Sequence, residues 1–191
     1  GDIAESYDFF RYGVKTDIND TFSIGVLYDE PFGAAAAYSG DNNFVAQEGD
    51  SREANIVAVS GGVIGPNSPI GVTSFAQAQG TVNALQGKLE QGGTLTADES
   101  ALLAGLAPAV GIVNAEFDTA GEGTNVEVRS ESITAILGAK FGANKEFQIY
   151  GGPIAQRIQA DVKLRGLAYG PATGYTSHIS PDQDYGYLAG I

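Results

Sequence analysis

A run of residues that alternates in character with period two is satisfied by an extended strand between unlike surroundings. Residues 10–28 hold two such runs around a polar turn. Before the turn, Phe10, Tyr12, Val14 and Thr16 share one face, and Arg11, Gly13, Lys15 and Asp17 share the other. After it, Phe22, Ile24, Val26 and Tyr28 oppose Ser23, Gly25, Leu27 and Asp29. Between them, Asp17-Ile18-Asn19-Asp20 is rich in short side chains that bond their own backbone. The pattern therefore predicts a hairpin with one aromatic and apolar face and one small, polar or charged face. Two environments produce it. A half-buried antiparallel sheet lays the apolar face on a protein core. A transmembrane barrel lays it against lipid and turns the polar face to a lumen.

Composition removes several function classes. The net charge of −13 leaves no basic patch for nucleic acid or for an anionic membrane surface. With no cysteine there is neither a disulfide framework nor a thiolate metal site. No uninterrupted run of eighteen apolar residues is present, so no transmembrane helix is expected. The chain lacks Met and stops inside a strand-like pattern, Tyr185 to Ile191, so we expect a piece of a longer gene product.

Beyond Tyr28, Pro31 interrupts the strand because proline cannot donate to a ladder. A bulge, kink or strand edge is expected at Pro31, Phe32 and Gly33, with Ala34 to Ala37 a weak continuation. Residues 41–123 read as a long insertion. Ala54 to Val59 suggests a short strand, followed by a Gly-Pro loop. From Thr73 to Gln91 the spacing changes to three and four, which predicts an amphipathic helix ended by Gly92-Gly93. Thr96-Ala97-Asp98-Glu99 is a capping box for a second helix over about 97–112, which Pro108 should kink or end. The two form a helical hairpin. Its apolar residues Phe75, Val82, Leu85, Leu89, Leu102, Leu103 and Leu106 are the candidate lining of an apolar ligand groove, although such stripes mostly pack helix on helix. Alternation returns at Val126 to Phe141, and a long extended run follows from Glu146 to Gly166, roughly 70 Å at strand rise. In that run Phe147 and Ile149 have one parity, and Ile154, Ile158 and Val162 the other, which suggests a one-residue bulge at Gly151-Gly152-Pro153. Gly170 to Asp184 reads as a polar loop before a last strand from Tyr185. Residues 1–40 thus hold a first hairpin, 41–123 the insertion, and 124–191 a second hairpin and the start of another strand.

No catalytic or metal constellation emerges. His178 is the single histidine and reads as a surface residue. Asp182 with Asp184, and Asp41 with Asn42 and Asn43, lack calcium-loop spacing. No nucleophile elbow, phosphate loop or zinc signature is present, so neither enzyme activity nor a cofactor is expected.

Two blocks resemble the FadL family of outer-membrane channels for long-chain fatty acids and other hydrophobic molecules, which includes toluene-uptake relatives. The first is Val14 to Gly25 with Tyr28-Asp29-Glu30-Pro31-Phe32-Gly33-Ala34. The second is Ser132 to Phe141, Phe147 to Gly152 and Gln159 to Val162, and Tyr185 to Ile191 looks like the start of a further strand. The resemblance implies a mainly β fold: an antiparallel meander from a fourteen-stranded transmembrane barrel, carrying an inserted helical hairpin. It implies passive uptake of fatty acids or aromatic hydrocarbons across a Gram-negative outer membrane. In the family, outer loops catch a hydrophobic molecule, which enters the barrel and leaves sideways through a kinked strand wall, here the stretch Asp29 to Gly33. The family's N-terminal hatch, with its Asn-Pro-Ala element, has no counterpart among these residues. The helical insertion also falls earlier than the corresponding helices of better-known members. Expected partners are a hydrophobic small molecule or lipid and the outer membrane, with self-association through open strand edges. The alternative is a soluble β-rich binding module whose helical hairpin recognises a hydrophobic ligand or a protein.

Overall fold

The computed structural model describes residues 3–191. They form an open, antiparallel six-stranded sheet with helices, divided into two compact units. Of the described residues, the sheet unit comprises 3–37, 125–162 and 177–191; the helical unit comprises 38–124 and 163–176.

In the sheet unit, β1 (Arg11–Asp17) and β2 (Phe22–Asp29) pair with Tyr12 opposite Tyr28 and Val14 opposite Val26. Their turn closes through Asn19, whose Oδ1 accepts the N–H groups of Thr21 and Phe22, both at 2.8 Å. β2 then pairs with β4 (Asn125–Phe141), with Phe22 opposite Ala139 and Asp29 opposite Ser132. β3 (Gly33–Ala37) continues along the same neighbour, with Gly33 opposite Arg129. β5 (Phe147–Lys163) and β6 (Thr176–Gly190) complete the order β1-β2-β4-β5-β6. At the β4–β5 turn, Gly142 and Lys145 adopt positive φ. Residues 3–5 run beside β3, through the bonds Glu5 N–H to Ala35 O and Ala37 N–H to Ile3 O.

Three sequence expectations change here. The strand expected at Ala54 to Val59 is a helix, α1 (Arg52–Val59). Its β-branched residues favour a strand locally, but Ser51 caps the first turn by accepting the Ala54 N–H, and Ile56 is fully buried. The polar loop expected up to Asp184 is instead mostly β6, from Thr176. Its polar residues carry no apolar alternation, and Pro181 is tolerated because β6 ends the sheet. The bulge expected at Gly151-Gly152-Pro153 is also overturned. The Phe141 ring stacks on Phe147 at one end, and ten residues further along each strand Glu131 pairs with Arg157. An extra residue in β5 between these contacts would place Arg157 on the opposite face from Phe147. Ile154 and Ile158 therefore belong to the face opposite Phe147 and Ile149.

The helical unit is built on α2 (Phe75–Glu90) and α3 (Ala97–Asp118), with α1 packed on α3. Ser74 caps α2, and the capping box Thr96/Glu99 opens α3. Ile56, Ile64, Phe75, Ala78, Val82, Leu106, Val110 and Val113 form the core. Pro108 does not end α3. The helix runs on to Asp118 because Leu106, Ala109, Val110, Ile112 and Val113 are buried on both sides of the proline. By length and composition alone α3 is also apolar enough to cross a membrane, with a mean hydropathy of 1.4 over its best window. Counting uninterrupted apolar residues missed this because Gly, Pro and Ser punctuate the stretch. Core helices pass the same test, and α3 contributes the centre of this unit's core.

Candidate functional site

Register carries the sequence's alternation across the sheet. On one face, Tyr12 and Val14 of β1 lie beside Ile24, Val26 and Tyr28 of β2, and these beside Ile133, Ala135 and Leu137 of β4. This face is exposed: Val14 retains 73% of its surface and Leu137 56%. Aromatic pairs mark both ends of the apolar band. Tyr12 stacks on Tyr28 at 4.9 Å between centroids, and Phe141 stacks on Phe147 at 5.6 Å. Beyond the tyrosine pair the same face turns polar, where the Tyr28 hydroxyl donates to Glu30 and Glu131, and Arg157 pairs with Glu131. The opposite face carries the Arg11–Asp29 and Lys140–Asp17 ion pairs, buried Ser23 and Thr134, and Gly25 and Gly138.

The break after β2 has a defined geometry. Asp29 faces Ser132 and Gly33 faces Arg129, so Glu30, Pro31 and Phe32 oppose only Ser130 and Glu131. The extra residue is a bulge, and it reverses parity between β2 and β3. On the β1 side the break is held by Glu30 N–H to Phe10 O and by the Phe10 N–H to the Glu30 carboxylate. The Tyr7 ring lies over Gly33 next to it, where a Cβ would fall 2.3 Å from the ring and make it shift.

The helical unit places the candidate groove residues differently from the sequence expectation. Phe75, Val82, Leu85 and Leu106 are buried in the α2–α3 seam, Leu102 and Leu103 pack partly buried against it, and Leu89 is exposed. The seam is core. An open groove of about 620 Å³ lies on another side of α3, lined by Val59, Val63, Ile64, Ile70, Leu102 and Leu106 among others. Only Leu102 and Leu106 were legible as lining. Val63, Ile64 and Ile70 lie in the Gly-Pro loop, where no periodicity marks them. The one charged side chain on the groove wall is Asp98.

Two polar nodes in the helical unit carried no sequence signal. Arg165 is buried, with Nε on Glu122 at 2.6 Å, Nη1 on the carbonyls of Leu164 and Tyr175, and Nη2 on Thr176. The Arg165 hydrogen bond holds the Glu122 carboxyl below the usual range. Glu116 is 2% exposed, and its Oε2 has no hydrogen-bond partner among the described residues. Burial pushes its pKa up, against the backbone N–H groups of Gln47 and Gly166 that favour the carboxylate. At the start of α3, Lys88 and the Thr96 N–H hold Glu99 below its usual value. His178, in β6, lies in hydrogen-bond contact with Asp161, both half-exposed.

The chain matches no protein-family model, no curated protein and no solved structure.

Proposed function

We propose that this chain forms part of the wall of an outer-membrane β-barrel that passes hydrophobic compounds, long-chain fatty acids or aromatic hydrocarbons, passively across a Gram-negative outer membrane. The observation that carries this reading is the exposed apolar face, bounded by aromatic pairs at both ends and backed by a small, polar face. In water, each exposed Val, Ile or Leu forgoes about 1.5–3 kcal/mol of burial. Hydrocarbon removes that penalty, and rings flanking an apolar band suit the interfaces of a bilayer. The two hairpin turns are short, while both long connections leave the strand ends remote from them, as in barrels with short inner turns and long outer loops. In this reading the groove on α3 takes up the hydrophobe, and the break at Glu30–Phe32 is the place where it leaves the wall sideways. Neither step needs a cofactor. The alternative, a soluble binding module, draws on the same groove but leaves the apolar face of the sheet unexplained.

Single-tryptophan variants test this directly, because the chain has no Trp. In phospholipid vesicles, Val26→Trp fluorescence should be quenched by lipids brominated on their acyl chains, and Leu27→Trp fluorescence should not. Equal quenching, or a protein that stays in water as a folded monomer, would remove the barrel reading.

A further inference from the structure

The open groove on α3 has one charged end and an apolar length. Asp98 stands at its start, in the first turn of the helix, and the lining follows the same helix through Leu102 and Leu106 to Ile112. At 1.5 Å per residue that stretch runs roughly 20 Å. Val63 and Ile70 also line it and retain 44% and 46% of their surface, which a hydrocarbon chain would cover. Asp98 has no partner within the chain. Among the described residues its carboxylate makes no hydrogen bond and no ion pair. Thr96 and Glu99 close the helix start without it, and Lys88, the basic side chain that reaches this end of α3, is taken by Glu99. No basic residue lines the groove. We infer that the groove takes an elongated hydrophobe with a cationic head, a long-chain amine or quaternary ammonium, whose head pairs with Asp98 and whose tail lies along α3 toward Ile112. This rests on the reading of the groove as the place of hydrophobe uptake, and it adds a class of guest that neither fatty acids nor aromatic hydrocarbons represent.

The two ends of such a guest act differently. Apolar burial holds the tail whichever head it carries. An exposed ion pair contributes little by comparison, so the head only ranks guests of equal length. A cation is attracted to Asp98, an alcohol is indifferent to it, and a carboxylate is repelled. The net charge of −13 works in the same direction, because it draws cations to the surface and keeps anions away. Gly105 leaves the floor of the groove clear, since a Cβ built there meets no atom within 4 Å.

Octyltrimethylammonium, octanol and octanoate share one tail length and differ in the head, so together they test this. Each is titrated calorimetrically at neutral pH into the full chain in uncharged phospholipid vesicles, with empty vesicles as the blank for partitioning. At low salt the ammonium should bind about threefold tighter than the alcohol and about tenfold tighter than the carboxylate. Both ratios should shrink in about 0.5 M salt. Asp98→Asn should bring the three affinities within about a factor of two of one another and leave octanol unchanged. Gly105→Leu places a side chain on the open floor, and leucine favours helix over glycine, so this variant should fold and lose all three probes. Equal affinities in the parent chain, or an order that survives Asp98→Asn, overturn the cationic guest and leave uptake of hydrophobes at the groove standing. No binding by the parent chain, or full binding by Gly105→Leu, overturns both.

Discussion

Arg165 donates to Glu122 at 2.6 Å while its own surface is almost wholly enclosed, so one guanidinium ties together three stretches of the helical unit. Its backbone exchanges bonds with Thr124, and its Nη atoms satisfy two carbonyls and Thr176. Arg165→Met should retain much of the volume yet leave those acceptors unpaired. We expect a loss of about 2–3 kcal/mol in chemical denaturation, the range for bonds made by a charged group. Arg165→Lys should recover only part of it, because an ammonium cannot reproduce the fork.

Glu116 and Glu122 should respond to pH in opposite senses. Burial raises the folded-state pKa of Glu116, so its contribution is fully present below its unfolded value and is lost as pH rises through the folded one. Arg165 lowers the pKa of Glu122, so its contribution is present above the unfolded value and is lost as pH falls through the folded one. Glu116→Gln should therefore abolish the decline in stability on the alkaline side of the ordinary carboxyl range and leave the acid limb intact. Thermal melts of the variant and the parent across that range measure it; an unchanged alkaline decline would assign it to another group.

The acidic side chain in the groove makes a selectivity prediction. Asp98 sits on a wall that is otherwise apolar or uncharged, so under the uptake proposed above a fatty carboxylate would meet a like charge that a neutral aromatic hydrocarbon would not. Asp98→Asn should tighten binding of a long-chain fatty acid several-fold at neutral pH and leave toluene binding unchanged. Calorimetric titration with both ligands reads the difference.

Gly152 faces the tightest approach in the sheet unit. A Cβ built there falls 1.7 Å from the Ala135 carbonyl oxygen, which no rotamer relieves. Gly152→Ala should push β4 and β5 apart, at a cost on the order of 3 kcal/mol. Faster hydrogen exchange in both strands should accompany it.

The start of α3 offers a smaller, local test. Thr96 accepts the Glu99 N–H, and Glu99 reaches back to the Thr96 N–H. Thr96→Ala should cost about 1 kcal/mol and fray the first turn, visible as faster exchange of the Glu99 and Ser100 amides.

The local order of this chain is written in its own residues. Period-two alternation by itself determined β1, β2 and β4 and which side chains share a face, because neighbours on a strand must point oppositely. The cap Thr96 with Glu99 determined where α3 begins, and Asn19 determined the first turn, because these bonds span four residues or fewer. Tertiary structure alone decided what depends on partners distant in sequence. Burial of Ile56 made α1 a helix, and packing on both sides carried α3 through Pro108. Pairing made a strand of the polar residues in β6. Register alone set Phe32 against Ser130, 98 residues away, and packing within the helical unit placed the open groove away from the α2–α3 seam, on a wall supplied in part by residues of an aperiodic loop. Spacing along a chain encodes which way a side chain points, while what it meets there is fixed only when distant segments pack.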